Sequence, residues 1–128
     1  MPTPHAGRPR VLLADDYAGI LTALERLLKP FCNIVGLVED GQRLLESARL
    51  LQPDVVVADV FLPEVDGLEA CRRIKEAIPH IQIIVLSAAD DVETRARAME
   101  VGAFAFISKR HAADRLPGTI EKAFAAQT

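Results

Sequence analysis

The sequence predicts an α/β protein, a doubly wound parallel sheet of five strands flanked by five helices. Three observations predict this class. Short apolar runs alternate with segments of helical apolar spacing, the 128 residues suffice for one domain, and 50% of them are hydrophobic, as in ordinary globular proteins. The apolar runs are RVLLAD (10–15), CNIVGLV (32–38), DVVVAD (54–59), IQIIVLS (81–87) and AFAFIS (103–108).

The segments after the first three runs predict helices, because their apolar residues recur at helical spacing. Proline sets the ends of these helices, since it cannot continue one. The first helix ends at Pro30, the second ends before Pro53, and the third follows PEVDG (63–67) and ends before Pro79.

The last two helices are less regular in sequence. The fourth is expected to begin near Asp90 or Asp91, either of which could cap it, and to end at Gly102. For the fifth we expect a start only at Pro117, because proline suits the first position of a helix. The tail AAQT (125–128) is typical of a frayed end and equally of a linker to a further domain.

Composition and charge exclude several classes of function. The formal net charge is −3 and the basic residues are scattered, so we expect no direct nucleic-acid binding. Cys32 and Cys71 lie in apolar contexts without disulfide or metal spacing, which is typical of buried reduced thiols. No apolar run approaches the ~18 residues of a membrane span, and residues 1–9 read as a flexible N-terminal segment. We therefore expect a cytoplasmic protein with no membrane contact.

Four of the five predicted strands end on groups suited to phosphate or metal chemistry. In open α/β sheets, ligands bind outside the carboxyl ends of the strands. Three carboxylates at that edge repel one another unless some take up protons or a cation holds them together, and Mg²⁺ prefers carboxylate oxygens. The sequence therefore predicts a divalent-cation site there. The residues concerned are Asp15 and Asp16 on the first strand, Asp59 on the third, Ser87 on the fourth and Lys109 on the fifth.

This set of side chains also suits phosphoryl transfer. Because neighbours on an extended chain point opposite ways, one of Asp15 and Asp16 can ligate the cation directly while the other acts through water. A carboxylate beside Mg²⁺ can act as a nucleophile towards phosphorus and form an aspartyl phosphate. Ser87 and Lys109 could then supply a hydroxyl donor and a cation to the phosphoryl oxygens.

Four motifs in this order resemble the response-regulator receiver domains of two-component signalling. The resemblance runs from about Arg10 to Phe124. It implies a flavodoxin-like fold with strand order 2-1-3-4-5, and a receiver domain over residues 10–126. The motifs are LLADD (12–16), VVVADVFLPEVDGLEAC (55–71), IIVLSA (83–88) and VGAFAFISK (101–109).

The resemblance implies a role for each residue of the metal site. Asp59 would be the phosphoacceptor, and Asp16 would bind Mg²⁺, or another divalent cation such as Mn²⁺, directly. Asp15 would act mainly through water. Asp59 and the backbone carbonyl of Phe61 would complete the protein's share of the metal shell.

The resemblance also implies which side chains would contact the phosphoryl group and which would change conformation in response. Ser87 would hydrogen-bond the phosphoryl oxygens, and Lys109 would pair with them. Phe106 would be the aromatic residue that changes rotamer as the state switches, although its place in an alternating apolar run is also that of an ordinary core residue. Gly67 matches the glycine of the family's loop after the third strand.

The expected partners follow from the same resemblance. The phosphoryl donor would be a phosphohistidine on a sensor histidine kinase or a phosphotransfer protein. The chain would be a signalling switch rather than a metabolic enzyme, although it would take part in its own phosphorylation and autodephosphorylation. Its output would be a partner protein or an effector domain outside this sequence. That output is expected at the fourth helix, fifth strand and fifth helix, where Arg95 and Arg97 are either contacts or merely solvated.

The sequence departs from the family pattern at three positions with expected consequences. Arg110 follows the lysine where most receivers have proline in a cis peptide, so we expect a trans bond here. Phe61 and Ala89 offer no polar side chain that could orient an attacking water. We therefore expect slow autodephosphorylation.

Other interpretations stay open from the residues. Asp16 could simply cap the first helix, and Lys109 could be a solvated surface lysine. A phosphohydrolase of the haloacid-dehalogenase kind also uses an aspartate at a strand end, but it spaces its two acids two residues apart. A pseudo-receiver would keep the fold without phosphorylation, and a flavodoxin-like cofactor binder would need a phosphate-cradling loop that this sequence lacks.

Overall fold

The computed structural model describes residues 7–127, in which strands and helices alternate along the chain. Residues 1–6 of the predicted N-terminal segment lie outside the described residues. The strands are β1 (Arg10–Ala14), β2 (Asn33–Val38), β3 (Val55–Asp59), β4 (Gln82–Ser87) and β5 (Ala105–Ser108). The helices are α1 (Ala18–Leu28), α2 (Gly41–Leu51), α3 (Gly67–Ala77), α4 (Val92–Glu100) and α5 (Ala112–Ala125), and a 3₁₀ turn (Lys109–His111) precedes α5.

The five strands form one parallel sheet in the order β2-β1-β3-β4-β5, which confirms the predicted fold. The order reverses direction between β1 and β3, and open α/β sheets bind ligands at such a switch point. Ala14 of β1 pairs with Ala58 of β3, so the residues that follow them leave the sheet side by side. The two strands that carry the predicted acids are therefore neighbours.

Helices cover both faces of the sheet, which explains the unbroken apolar runs of the strands. One core cluster lies between the sheet and helices α2, α3 and α4, with Leu12 and Val56 at its base. The other lies between the sheet and helices α1 and α5, with Leu13 and Val57 at its base. Cys32 and Cys71 are buried free thiols, as predicted. Within residues 7–127, no helix combines the length and apolar character that crossing a membrane requires.

Helix α5 begins at Ala112, so the predicted start at Pro117 is wrong. Proline in the second turn removes only one helical hydrogen bond, because its nitrogen has no proton to donate to the carbonyl four residues earlier. Burial on the sheet outweighs that loss, since Leu116 is 0% exposed and Ile120 is 2% exposed. The chain reaches α5 through the 3₁₀ turn, and no peptide bond within residues 7–127 is cis.

The loop between β3 and α3 is held close to the end of β3. Gly67 donates its backbone N–H to the Val60 carbonyl at 3.0 Å, and a Cβ at Gly67 would lie 1.9 Å from the Asp59 carbonyl oxygen. A side chain at Gly67 would therefore displace the strand end itself. Helix α2 meets the same loop, since a Cβ at Gly41 would lie 1.7 Å from the Val65 carbonyl oxygen. The loop that follows Asp59 is thus fixed by two close backbone contacts.

Candidate functional site

The three predicted acids meet at the carboxyl edge of the sheet. Asp15 and Asp59 follow or end the neighbouring strands β1 and β3, and they are only 1% and 5% exposed. Asp16 is exposed. One carboxylate oxygen from each of the three residues lies within 4.8 Å of the others. The sheet order therefore brings together residues that are more than forty positions apart in sequence.

Lys109 reaches this cluster from the end of β5. Its ammonium lies 2.7 Å from Asp15 Oδ2 and donates a hydrogen bond of 3.0 Å to Asp59 Oδ2. The side chain crosses the end of β4 to do so, because β4 lies between β3 and β5. The alternative of a solvated surface lysine is not found. One positive charge faces three carboxylates, so the site keeps an excess of negative charge.

Burial and the attraction between opposite charges shift the pKa values of Asp59 and Lys109 in opposite directions. Burial raises the pKa of Asp59, and the hydrogen bond from Lys109 lowers it by less, so the net shift is upward. Burial lowers the pKa of Lys109, but the interactions of its ammonium with the Asp15 and Asp59 carboxylates together raise that pKa by more. Lys109 therefore stays charged at neutral pH. The ionised Asp59 carboxylate is held at an energetic cost that a second cation would reduce.

The unused oxygens of the cluster fit a divalent cation. Asp15 Oδ1 accepts the Tyr17 N–H at 2.9 Å, whereas the buried Asp15 Oδ2 has its ion pair with Lys109 but no aligned hydrogen bond from the part of the chain that the structure describes. The Asp16 side chain makes no hydrogen bond or ion pair with any residue between 7 and 127, and it does not cap α1, whose cap position is Tyr17. Carboxylate oxygens that lack other partners are the donor set that Mg²⁺ prefers. The residues present therefore fit that ion.

Ser87 lies between the acids and the lysine along the sheet edge. It ends β4 next to Leu86, which pairs with Asp59, and it pairs with Ser108 of β5. Its side chain is 0% exposed, and its Oγ accepts the Ala89 N–H at 3.0 Å. The hydroxyl proton is therefore free to be donated to another group.

Phe61 and Phe106 occupy different environments. Phe61 donates its backbone N–H to Asp59 Oδ1 at 3.4 Å, and its ring, 61% exposed, lines a hollow beside Asp16.

Phe106 is 7% exposed, pairs with Val85 and belongs to the core cluster under α4. The Arg95 guanidinium lies over the Phe106 ring, 4.7 Å from its centroid. The sequence alone does not predict this contact, because it depends on the conformations of two side chains, one on a helix and one on a strand.

The fourth helix begins as predicted from a local signal. The Asp91 carboxylate accepts the Thr94 N–H at 2.7 Å, which is the N-cap bond expected of an aspartate there. Gly102 follows the end of α4 with a positive φ of 93°, a conformation that glycine adopts without strain. Arg97 on the exposed side of α4 pairs with Asp66 at 3.7 Å.

Comparison with known proteins agrees with the geometry. The family model described as "Response regulator receiver domain" matches residues 11–121. The chain is 32% identical over 120 residues to the response regulator GacA of Pseudomonas aeruginosa. The aligned residues cover 92% of this chain and 56% of that protein. It is 35% identical over 107 residues to the response regulator MprA of Mycolicibacterium vanbaalenii, covering 84% and 46%. The chain thus spans about half the length of these curated relatives.

Solved structures show the same architecture. The response regulator domain of Thermotoga maritima CheB superposes with a TM-score of 0.87 at 27% identity, covering 95% of this chain and 100% of that one. The receiver domain of DrrB, described as BeF₃-activated, superposes with a TM-score of 0.84 at 26% identity, covering 93% and 99%. These scores agree with the strand order described above.

Proposed function

This chain belongs to the response regulator receiver domain family, and from that premise we propose that Asp59 accepts a phosphoryl group from a partner's phosphohistidine. The observation that carries the proposal is the convergence of Lys109 on Asp15 and Asp59, with an oxygen of Asp16 within 4.8 Å of both acids. Aspartyl phosphate chemistry needs a nucleophilic carboxylate and a fixed cation, and the described residues supply both.

The transfer can be written in terms of this chain's own side chains. An Asp59 oxygen attacks phosphorus, the phosphorus–nitrogen bond of the donor histidine breaks, and that nitrogen leaves with the electron pair and takes up a proton. Lys109 already touches Asp59 and would pair with the phosphoryl oxygens. Ser87 would donate its free hydroxyl proton to one of them.

Asp15, Asp16 and Asp59 would hold a divalent cation, Mg²⁺ or Mn²⁺, with the Phe61 backbone carbonyl completing the protein's ligands. When bound, such a cation neutralises charge on the carboxylates and on the phosphoryl oxygens. The chain's contribution is to place the acids at the ends of adjacent strands and to keep two of them away from bulk water. That burial strengthens their interaction with any cation at the site.

Phosphorylation would act as a switch rather than as a step of metabolism. The modified Asp59 would favour one of two conformations, with Ser87 and Phe106 as the side chains that change, and a partner would prefer one conformation. The exposed surface of α4, β5 and α5 is a candidate for that partner or for an effector domain, since Val92 is 85% exposed and Met99 is 50% exposed. The donor would be a sensor histidine kinase or a phosphotransfer protein, and we place this exchange in the cytoplasm.

Intact-mass spectrometry after incubation with acetyl phosphate and Mg²⁺ tests the proposal. We expect one added phosphoryl group in the wild-type chain and none in Asp59→Asn or in the presence of a chelator. Glu121→Gln is the matched control, because Glu121 is an exposed acid late in α5, near the residues that precede β1 at the opposite edge of the sheet. No adduct from a folded wild-type chain, under conditions that phosphorylate a known receiver, would contradict the proposal and favour a pseudo-receiver.

A further inference from the structure

We infer that the outer edge of β2 pairs with the same edge of a second copy of this chain, giving an antiparallel two-fold dimer. Such pairing goes beyond the proposed function, because it concerns self-association and requires no phosphoryl group. Three features support it: the position of β2 in the sheet, the side chains along its edge, and the charges at its two ends.

Strand β2 forms one open edge of the sheet. It comes first in the order β2-β1-β3-β4-β5, and no other strand within residues 7–127 pairs with its outer side. Edge strands present free N–H and C=O groups to a second strand, and proteins protect them with charged residues, proline, bulges, short length or a covering element. The sequence of β2, NIVGLV, contains no charged residue and no proline. Its outer groups are therefore available to a partner strand.

The edge formed by β5 differs from that of β2. β5 has only four residues and runs directly into the basic residues Lys109 and Arg110. Short length and flanking charge both discourage pairing with another chain. Of the two edges of this sheet, the one formed by β2 is therefore the better suited to a second strand.

A bulge in β2 brings two apolar side chains to the same face of its edge. Ile34 pairs with Val11 and Leu37 pairs with Leu13, so the register shifts by one residue between the two pairs. Paired residues of neighbouring strands point to the same face of a sheet, and Val11 and Leu13 both belong to the core cluster under α1 and α5. Ile34 and Leu37 therefore lie on that face together, and Leu37 is 40% exposed.

These two side chains make the edge complementary to itself. In an antiparallel pair centred between Val35 and Gly36, Ile34 of each copy lies opposite Leu37 of the other. Four apolar side chains then meet on one face of the joined sheet, and cross-strand pairs of this kind stabilise it. A two-fold interface requires such a match, because the same patch must fit itself.

The charges at the two ends of β2 also favour antiparallel pairing. Arg8 and Lys29 line a hollow at the start of β2, and neither forms an ion pair with a residue between 7 and 127. Glu39 follows the end of β2, and its exposed carboxylate has no partner in the same range. Antiparallel pairing sets the start of one strand against the end of the other. Each Glu39 therefore meets two cations of the other copy, which outnumber the Glu25 that shares their hollow.

Sedimentation velocity over a range of chain concentrations tests the inference. An interface built on one strand edge is small, so we expect a wild-type dissociation constant in the micromolar range. Leu37→Lys should stay monomeric, because a charged side chain at the edge must keep its water. Met99→Lys is the matched control and should associate like wild type, since Met99 is 50% exposed on α4, which packs against β5 at the other edge.

Two outcomes of this measurement would overturn the inference. One is a wild-type chain that stays monomeric at every concentration, which leaves the edge to solvent or to another protein. The other is a dimer that Met99→Lys disrupts and Leu37→Lys does not. β2 carries none of the site residues, so adding Mg²⁺ and beryllium fluoride should not change the association. Association that appears only with these probes would place the interface elsewhere, whereas a chain that takes no phosphoryl group should still form the dimer.

Charge reversal tests the ends of β2 without disturbing the core. Lys29 and Glu39 are exposed, so the fold should tolerate changes there. Lys29→Glu and Glu39→Lys should each weaken association by about three- to tenfold, because each change puts like charges together at both ends of a two-fold dimer. The double variant should recover most of the wild-type affinity. Single variants that associate like wild type, or a double variant no tighter than the single ones, would overturn the inference.

Cysteine cross-linking tests the register. A mixture of Ile34→Cys and Leu37→Cys chains should form a mixed disulfide under mild oxidation, because opposite residues of antiparallel strands have Cα atoms about 4.5–5.5 Å apart, within the range that a disulfide spans. Each variant alone should cross-link much more slowly, since its new thiol lies opposite an apolar side chain. The native Cys32 and Cys71 are buried and should not interfere. Equal cross-linking in all three samples, measured by intact mass without reductant, would contradict the proposed pairing.

Discussion

The Lys109 ammonium donates a hydrogen bond of 3.0 Å to the Asp59 carboxylate from two strands away in the sheet. The same ammonium lies 2.7 Å from Asp15, so one side chain joins the ends of β1, β3 and β5. The acids of this site are therefore partly neutralised before any metal or phosphoryl group arrives.

Removing the lysine should destabilise the chain. In Lys109→Ala, two buried carboxylates lose their cation, and we expect the free energy of unfolding to fall by about 1–3 kcal/mol. Urea denaturation in metal-free buffer measures this change. Asp59→Asn introduced into Lys109→Ala should restore part of the loss, because it removes one of the uncompensated charges. A double variant no more stable than Lys109→Ala would show that the pair is not coupled.

Divalent cations should stabilise the fold through the acid cluster. Binding to the native state alone raises the free energy of unfolding by RT ln(1 + [Mg²⁺]/Kd), about 2.7 kcal/mol at a hundredfold excess over Kd. We expect thermal unfolding of the wild type to shift upward with MgCl₂ and the shift to be much smaller in Asp16→Asn. Glu121→Gln should respond like wild type, since Glu121 lies late in α5, near the opposite edge of the sheet. An equal shift in Asp16→Asn would place the ion elsewhere.

The sequence predicted the strands well because the three central strands, β1, β3 and β4, are buried on both faces and so appear as unbroken apolar runs. Strand ends predicted the acids, Ser87 and Lys109, since a parallel sheet brings all carboxyl ends to one edge, whereas the roles of Phe61 and Phe106 rested on the family resemblance. The start of α5 was missed, because burial of Leu116 outweighs the local preference of Pro117. The Arg95–Phe106 contact could not be predicted either, since it depends on side-chain conformations that no sequence spacing encodes.

Cys71 should make stability depend on pH in the alkaline range. Burial raises the pKa of this thiol to about 12, whereas an unfolded thiol ionises near about 8.5. Between these values the unfolded state binds fewer protons than the native state, so the free energy of unfolding falls as pH rises, by up to about 1.4 kcal/mol per pH unit. Cys71→Ala should show a shallower fall between about pH 9 and pH 11 than wild type.

The control for this prediction compares the slopes of unfolding free energy against pH in the two chains, not their absolute stabilities. Cys71→Ala leaves a cavity and lowers stability at every pH, but that loss does not depend on proton binding. Lysine and tyrosine titrations are common to both chains and cancel in the difference. Parallel curves for wild type and Cys71→Ala would mean that the thiol ionises as readily in the fold as outside it.

Among residues 7–127, two residues other than glycine have a left-handed backbone conformation that glycine would adopt with less strain. Gln52 at the end of α2 has φ 46°, and Glu64 in the loop after β3 has φ 68°. Such conformations cost residues with a Cβ about 1–2 kcal/mol, partly offset by the entropy that glycine loses on folding. We expect Gln52→Gly to raise the free energy of unfolding by about 0.5–1 kcal/mol in urea denaturation.

Gly102 allows the opposite test, in which a glycine with a positive φ is replaced by alanine. It has φ 93° after α4, and a Cβ there would lie 3.1 Å from Lys75 Cγ. Gly102→Ala should therefore lower the free energy of unfolding, by about 1 kcal/mol or more. Opposite signs for Gln52→Gly and Gly102→Ala are expected from backbone conformation, whereas a loss of stability in both would contradict the argument.

Phe61 should slow the loss of the phosphoryl group from Asp59. Its ring is exposed beside Asp16 and offers no group that could orient a water molecule for attack on phosphorus. In Phe61→Asn we expect autodephosphorylation to be roughly tenfold faster, a fall of about 1.4 kcal/mol in the activation free energy. Intact-mass spectrometry after removal of acetyl phosphate measures the decay. Phe31→Asn is the matched control, because Phe31 is 56% exposed and follows α1, at the opposite end of the sheet. A wild-type phosphoryl group that decays quickly, and no faster in Phe61→Asn, would show that water reaches the site without help from this position.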